Sequence, residues 1–372
     1  MSGIYIHIPF CHKRCIYCDF FLVTNPDLKG KFLEGLSSEI RLSSSLYGEE
    51  KFDTIYFGGG TPSILSPAQI SEIIKEVKEN FNIEGNPEIT IEANPEDLNA
   101  DNIPQYRDAG INRISLGLQS FIDRELRFLT REHTADKGIE VIESIKKYFD
   151  NFSIDIIYSL PGSSVEDISY SIRKAAELGA PHISAYALTF EKKTVLFAQS
   201  EAGLVTPNNE ETESGLYGFV SDTMTESGYD HYEVSSFTKP GYEARHNSKY
   251  WELRNYIGLG PSSHSFYNGK RWNNVRSIGG YADALLEDKL PRENESNPDK
   301  DELLFEYVMT SLRSKGIDLQ KYQYISGKDF LQTKEEAVRV LVDNKMAEVN
   351  NGRFKLTRKG FSIADEIIVK YF

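Results

Sequence analysis

The sequence predicts an α/β fold in which parallel strands alternate with helices, followed by a small α+β module. Short runs rich in β-branched residues alternate six times with segments of helical period in the first half of the 372-residue chain. The pattern then becomes mixed and aromatic-rich, and a polar stretch separates it from a final helix and hairpin pattern. Six strand–helix units predict a parallel sheet or partial barrel with functional residues at the carboxyl ends of its strands.

The six strands are predicted from near-continuous apolar runs, which are typical of parallel strands buried on both faces. The runs cover residues 4–9, 54–58, 89–93, 113–118, 152–158 and 183–189.

Helix signals lie between these runs. Ser66 is a predicted N-cap, and Gln69 three residues later completes a capping box. Gly179 follows a helical stripe at a C′ position, where glycine adopts the left-handed conformation most easily. Residues 99–109 carry the weakest helix pattern, because Pro104 normally interrupts a helix.

The later part of the chain predicts further domains. The polar segment 287–301 contains two prolines and is interpreted as a linker. Beyond it, Asn351 and Gly352 are a hairpin signal between two short strands, and the order of elements suggests a winged-helix-like module. We therefore expect a barrel over residues 1–190, a barrel extension over 191–290 and a C-terminal domain over 291–372.

Composition excludes several classes of protein. Hydrophobic residues make up 40% of the chain, which excludes a disordered or collagen-like protein. The net charge of −14 disfavours binding to nucleic acid. No basic leader with an apolar run opens the chain and no stretch approaches the roughly 20 apolar residues of a membrane span, so we expect a cytoplasmic protein.

The three cysteines of the chain lie within eight positions, immediately after the first predicted strand. Cys11, Cys15 and Cys18 have the spacing C-x3-C-x2-C, which is not a disulfide framework. Three thiolates from one loop can hold three irons of a 4Fe–4S cluster and leave the fourth iron open to a small molecule. The alternative is a zinc site with His7 or His12 as the fourth ligand.

Several motifs surround this cysteine loop in the sequence. They are YIHIPFC at 5–11, FGGGTP at 57–62, EANP at 92–95, GLQS at 117–120 and SLPG at 159–162. With them the chain resembles the radical S-adenosylmethionine (SAM) superfamily, and within it the HemN/HemW family of oxygen-independent coproporphyrinogen III oxidases and haem chaperones. The resemblance implies a partial (βα)6, TIM-like barrel, a 4Fe–4S cluster and SAM bound at the open iron.

Ten residues match family positions that surround SAM. The resemblance implies that Glu92 and Arg131 engage the methionyl end of SAM and that Gln119 and Asp155 bind the ribose. Arg131 suits a carboxylate because a guanidinium fork can bind one bidentately. The other matches are Gly59, Gly60 and Thr61 in the glycine loop, with Tyr5, Tyr17 and Ala187 mostly near the adenine.

Two features distinguish the members of this family. The oxidase pattern has a further cysteine two residues after the third cluster cysteine, where this chain has Phe20. Residues 246–251 match the H-N-x-x-Y-W motif associated with haem binding in the chaperone. The matching residues are His246, Asn247, Tyr250 and Trp251.

The leading hypothesis is therefore a haem chaperone that carries a cluster and SAM and delivers haem to acceptor proteins, among them membrane-associated respiratory proteins. The alternatives are the oxidase itself and a metal-stabilised binding module that does not use SAM. No catalytic residue is assigned, and an electron donor such as flavodoxin is expected only if SAM is cleaved. The basic segment 353–359 is interpreted as part of a lid or docking surface rather than a nucleic-acid contact.

Overall fold

Six parallel strands form the centre of the structure, a computed structural model that describes residues 1–372. They pair in chain order, and the end strands do not pair with each other, so the barrel is partial. They are β1 (Ser2–Ile8), β2 (Lys51–Gly59), β3 (Asn82–Ala93), β4 (Arg113–Gln119), β5 (Phe152–Tyr158) and β6 (His182–Ala187).

The two faces of these strands differ, which corrects the expectation that both faces are apolar. On β1, Ile4 and Ile6 belong to the main hydrophobic core. Between them, Tyr5 faces the barrel interior, where its ring stacks on Tyr56 with centroids 6.0 Å apart. The Tyr56 hydroxyl in turn donates a hydrogen bond to Glu92. Apolar side chains therefore pack outward against the helices, and polar side chains line the barrel interior.

The helices on the outer face begin and end largely where the sequence predicts. They are α1 (Lys29–Tyr47), α2 (Pro67–Asn80), α3 (Asn102–Asp108), α4 (Asp123–Phe128), α5 (Ala135–Ile145) and α6 (Val165–Glu177). The Ser66 capping box is present. Gly179 has φ +79° and, with Ala180, closes the α6 C-terminus through hydrogen bonds back to the last turn. Pro104 lies in the first turn of α3, where its missing N–H costs no helical hydrogen bond.

Residues 195–296 extend the sheet on both sides. The added elements are α7 (Val195–Glu201), α8 (Glu210–Glu226), β7 (Asp230–Glu233), β8 (Ser236–Thr238), α9 (Arg245–Trp251), β9 (Tyr256–Leu259), β10 (His264–Tyr267), β11 (Lys270–Asn274), α10 (Ile278–Leu286) and β12 (Arg292–Ser296). The sheet has twelve strands in the order β12-β11-β10-β9-β1-β2-β3-β4-β5-β6-β8-β7. The prediction of a linker over residues 287–301 is therefore wrong in part, because residues 292–296 form β12, the strand at one edge of this sheet. Its polar sequence suits an edge strand whose side chains are exposed.

The C-terminal domain has its own three-stranded sheet, in the order β13-β15-β14, and a separate core of 14 buried residues. Its elements are α11 (Lys300–Leu312), β13 (Ile317–Asp318), α12 (Leu319–Ser326), α13 (Phe330–Thr333), α14 (Glu335–Asp343), β14 (Ala347–Asn350), β15 (Arg353–Leu356), α15 (Arg358–Phe361) and α16 (Ala364–Tyr371). This order is that of a winged helix. Asn351 and Gly352 both have positive φ, as the predicted hairpin turn requires.

Two further expectations concern the whole chain. The domain boundaries at residues 190 and 290 stay predictions. Among the helices of the structure, none combines the length and the apolar character that crossing a membrane requires.

Candidate functional site

A cavity of about 460 Å³ opens at the carboxyl ends of the barrel strands, and we call it the mouth. It brings together nearly all the residues that the sequence analysis assigns to cluster and SAM. Those lining it are Cys11, Cys15, Cys18, Tyr17, Gly59, Gly60, Thr61, Glu92, Gln119, Arg131, Asp155 and Ala187. Phe20, the residue in place of the oxidase cysteine, lies at its rim with 61% of its surface exposed.

The cysteine loop is held in place by backbone and side-chain hydrogen bonds. The Cys11 thiol lies 3.1 Å from the Thr61 hydroxyl on the neighbouring glycine loop. Arg14 donates to the backbone carbonyls of Cys18 and Phe20, which fixes the far side of the loop. Burial raises the pKa of Cys11 to about 11, so its thiol is protonated at neutral pH unless a metal ion displaces the proton. The donor set of three free thiols at one cavity fits three irons of a cluster.

The two histidines considered as a fourth zinc ligand have other partners. His7 Nε2 lies 2.9 Å from the Phe21 carbonyl oxygen, and its Nδ1 lies 3.2 Å from the Tyr5 hydroxyl. His12 Nε2 pairs with Asp97 at 2.8 Å. In the structure, no three His, Cys, Asp or Glu side chains are arranged so that together they could hold one metal ion.

The glycine loop at the end of β2 approaches the cysteine loop closely. The Gly60 amide donates to the Ile8 carbonyl at 2.9 Å. A Cβ atom at Gly60 would lie only 2.6 Å from the Phe10 carbonyl oxygen. Gly59 has φ +113°, a conformation that side chains disfavour. Glycine is therefore required by packing at this point, and the amides of Gly59 and Gly60 hold the loop against Glu92 and Ile8.

Two half-buried carboxyl groups line the mouth. Glu92 accepts hydrogen bonds from the Tyr56 hydroxyl at 2.8 Å and from the Gly59 amide at 3.1 Å. Burial raises the pKa of Glu92 to about 7, against those two hydrogen bonds. Asp155 accepts from the Ser115 hydroxyl at 3.2 Å, and burial raises its pKa as well. Both groups can accept hydrogen bonds from a cationic or hydroxyl-bearing ligand when ionised.

Arg131 crosses the side of the mouth and is almost fully buried. Its Nη2 donates to the Asn94 side-chain oxygen at 2.6 Å and to the Gly117 carbonyl at 3.0 Å, and its Nη1 lies 3.6 Å from the Cys15 sulfur. Its Nε has no partner. An unpartnered donor on a buried guanidinium fits a carboxylate ligand. Asn94 was not among the predicted site residues, although it belongs to the EANP motif at the end of β3.

Gln119 ends β4 in a left-handed backbone conformation with φ +72°, which is unusual for a residue other than glycine. β4 therefore ends at Gln119, which lines the mouth. Tyr5, in contrast, does not line the mouth. It lies deeper in the barrel, 6.4 Å between ring centroids from His246.

The opposite end of the barrel is closed by α9, which carries the H-N-x-x-Y-W residues, and we call this region the floor. His246 is fully buried, with 0% of its surface exposed. Its Nδ1 lies 2.8 Å from the Thr54 hydroxyl and its Nε2 lies 2.9 Å from the Tyr250 hydroxyl. Burial lowers the pKa of His246 to about 3, so the imidazole is neutral. The Thr54 and Tyr250 hydroxyls thus occupy both ring nitrogens of His246 in this conformation.

Two acidic residues that the sequence analysis missed hold α9 in place. Glu88 accepts the backbone N–H groups of Arg245 at 3.0 Å and His246 at 2.9 Å, and so caps the start of the helix. Asp53 accepts from Lys249 Nζ at 2.5 Å and from the Arg245 guanidinium at 3.1 Å. Each carboxylate lies immediately before a predicted apolar strand, residues 54–58 or 89–93, and that position was the available signal.

The chain is similar to known proteins over its whole length. Residues 5–175 match the model of the radical SAM superfamily, and residues 299–363 match that of the HemN C-terminal domain. A relative named heme chaperone HemW from Lactococcus lactis subsp. lactis (strain IL1403) is 34% identical, with 100% of this chain and 97% of the relative covered.

Relatives of the same name come from other bacteria. The one from Bacillus subtilis (strain 168) is 30% identical over 99% of this chain and 98% of its own length. Among solved structures, coproporphyrinogen III oxidase (HemN) from Escherichia coli has a TM-score of 0.84 at 22% identity, covering 99% of this chain and 89% of that one. That likeness shows the fold.

Proposed function

This chain belongs to the family of the heme chaperone HemW within the radical SAM superfamily, and from that premise we propose that it binds haem and delivers it to acceptor proteins. The observation that carries the proposal is the full-length similarity to relatives of that name. Phe20 at the rim of the mouth supports it further, because the resembling oxidase has a cysteine at this position.

The proposal includes a 4Fe–4S cluster on Cys11, Cys15 and Cys18 and SAM in the mouth. Arg131, with its unpartnered Nε, would bind the SAM carboxylate, and ionised Glu92 would accept from its ammonium group. Asp155 and Gln119 would bind the ribose hydroxyls, and Tyr17 and Ala187 line the same cavity. When reduced, a cluster held by these thiols would supply one electron to SAM.

For haem, we propose His246 as the iron ligand within the H-N-x-x-Y-W motif. A neutral imidazole is the form that binds iron, and burial keeps His246 in that form. To reach iron, the ring must leave Thr54 or Tyr250, so α9 has to move. Asn247 and Trp251, on the same short helix, would then face the macrocycle with Tyr250.

The experiment is an anaerobic titration of the reconstituted protein with haemin, followed by Soret absorbance. We expect saturable binding near one haem per chain, and His246→Ala should weaken it or shift the Soret band. His264→Ala is the matched control, because His264 is an exposed histidine on β10. Absence of saturable binding in the wild-type protein would contradict the proposal, and loss in His264→Ala instead would move the site.

A second candidate is the oxidase, oxidative decarboxylation of coproporphyrinogen III to protoporphyrinogen IX. The observation that favours it is the mouth itself, which gathers the residues that a SAM-dependent enzyme would need. Incubation with coproporphyrinogen, SAM and reductant tests it, and formation of protoporphyrinogen would establish it. We further propose a cytoplasmic location and, if SAM is cleaved, an electron donor such as flavodoxin.

A further inference from the structure

A second cavity lies between the barrel extension and the C-terminal domain, and we call it the interdomain cleft. Its volume is about 300 Å³, at the small end of ligand pockets. It is lined by His231, Tyr232, Ser314, Lys315, Asn350, Asn351, Arg353, Lys355, Leu356 and Phe361. Three of these residues are cationic and none is a carboxylate.

The cations give the cleft a charge opposite to that of the chain, whose net charge is −14. Lys315 is exposed and forms no ion pair. Arg353 pairs with Asp318 at 3.4 Å, and Lys355 pairs with Glu348 at 2.8 Å, and neither of these acids lines the cleft. An anion in the cleft would therefore meet one free ammonium group and two further cations.

The rest of the lining is apolar or uncharged. The rings of His231 and Phe237 stack with centroids 4.2 Å apart, and His231 lies 5.1 Å from the Phe361 ring. Burial lowers the pKa of His231 to about 4, so this wall is neutral at physiological pH. The cleft thus combines two neutral rings, those of His231 and Phe361, with three cationic side chains.

The cleft also lies beside the helix that carries the haem motif. Tyr232, one of its lining residues, accepts a hydrogen bond from the Ala244 amide, immediately before α9, at 3.3 Å. Lys315 also lines a neighbouring cavity that contains Arg245 and Ser248 of α9. The carboxylates of that second cavity, Asp53, Glu88, Glu243 and Glu252, disfavour an anion there, so a carboxylate near α9 would be placed on the cleft side of Lys315.

We propose that the interdomain cleft binds the propionate carboxylates of haem, an inference that rests on the proposed haem-binding function. Haem is an apolar macrocycle with two carboxylates on one edge, and charge-assisted hydrogen bonds from lysine and arginine are the interactions that hold such groups. The small volume of the cleft suits that edge rather than the whole macrocycle. The C-terminal domain then acts as part of the cargo site, which gives a role to its basic wing.

The test compares haem with haem dimethyl ester, which has the same macrocycle without free carboxylates. Both are titrated into the wild-type protein, Lys315→Glu and the control Lys328→Glu, which reverses an exposed, unpaired charge elsewhere in the same domain. We expect Lys315→Glu to weaken haem binding about fivefold at low salt, with no effect on the ester. Lys328→Glu should bind both ligands like the wild-type protein, and thermal melting checks that all three are folded.

Each outcome has a distinct meaning. If the wild-type protein binds haem but Lys315→Glu binds it equally well, or loses haem and ester alike, the cleft does not hold the propionates. If the wild-type protein fails to bind haem at all, the proposed function itself fails. A haem-specific loss that shrinks as salt rises supports the cleft as the carboxylate site.

Discussion

The polar side chains at the mouth of the barrel lie beside an open cavity, whereas those at the floor are enclosed. At the mouth, Glu92 and Arg131 line a cavity of about 460 Å³, and the Arg131 Nε has no partner. At the floor, His246 is fully buried and both of its ring nitrogens have partners. The mouth therefore already has open volume beside its polar groups, whereas the floor must open before His246 can bind iron.

Under the proposed function, opening the floor would have a cost that reduces haem affinity. Breaking one hydrogen bond of His246 costs on the order of 1 kcal/mol, and the ion pair between Asp53 and Lys249 resists further movement of α9. A site that is open only part of the time binds more weakly in proportion to that fraction. Weaker binding of this kind would suit a protein that has to release its haem to an acceptor.

The largest expected effect is at the mouth. Cys15→Ser should reduce the iron content of the anaerobically reconstituted protein to near background, because one of three cluster ligands is lost. Stability should stay within about 0.5 kcal/mol of the wild type, since Cys15 is only partly buried. Iron and sulfide analysis measures the first effect and urea denaturation the second. His246→Ala serves as the control, because it should keep the cluster. Full iron content in Cys15→Ser would contradict the assignment of Cys15 as a ligand of the cluster.

The next effect is at the floor. Burial alone would raise the pKa of Asp53, but its hydrogen bonds and charge interactions with Lys249 and Arg245 outweigh burial and lower it. Asp53→Asn leaves Lys249 buried without its carboxylate and should lower the free energy of unfolding by about 3 kcal/mol. The difference from wild type should shrink as pH falls through the lowered pKa of Asp53, where the pair is lost.

Urea denaturation over a pH series measures this difference. The double variant Asp53→Asn/Lys249→Met is the control and should recover part of the stability, because it removes the unpaired charge as well. A stability of Asp53→Asn equal to that of the wild type would show that the pair does not hold α9 closed.

A smaller effect distinguishes close packing at the mouth from a general requirement for glycine. Gly60→Ala forces a Cβ atom to within 2.6 Å of the Phe10 carbonyl and should cost about 1–3 kcal/mol, with weaker SAM binding. Gly85→Ala is the matched control, since nothing lies within 4 Å of its Cβ position. Calorimetry of SAM binding and thermal melts compare the two. Equal behaviour of both variants would contradict the tight contact between the glycine and cysteine loops.

The smallest effect concerns pH. Because burial raises the pKa of Glu92 to about 7, its carboxyl group becomes protonated below that pH and loses the negative charge that would attract the SAM ammonium group. SAM affinity should therefore fall by up to about tenfold per pH unit below pH 7. Glu92→Gln should bind weakly at every pH and lose this dependence. A wild-type affinity that is flat between pH 5.5 and 8 would exclude an ionised Glu92 from SAM binding.

Local sequence signals predicted the elements of the fold well. The Ser66 capping box, Gly179 at the end of α6 and the turn at Asn351 each depend on residues a few positions apart, and each is present. The cysteine spacing likewise placed three thiols on one loop beside the barrel strands. Pro104 shows the limit of a single local rule, because a proline in the first turn does not interrupt a helix.

Long-range packing could not be predicted in the same way. The Thr54 hydroxyl that occupies His246 Nδ1 lies 192 positions away in the chain, so no local pattern indicates that the motif histidine is closed off. The polar lining of the barrel was visible in the sequence as Tyr5 and His7 between isoleucines. It was missed because parallel strands were expected to be apolar on both faces. The interior of this barrel contains a cavity and is not a packed core.

The most direct test of the difference between mouth and floor is hydrogen–deuterium exchange with and without haem. We predict that saturating haem raises amide exchange in peptides covering α9, because the hydrogen bonds from its first amides to Glu88 must break, and that the cysteine loop is unaffected. His246→Ala should show no such change on haem addition. Saturation with haem and no change in exchange over residues 245–251 would contradict the account, since iron would then be bound elsewhere.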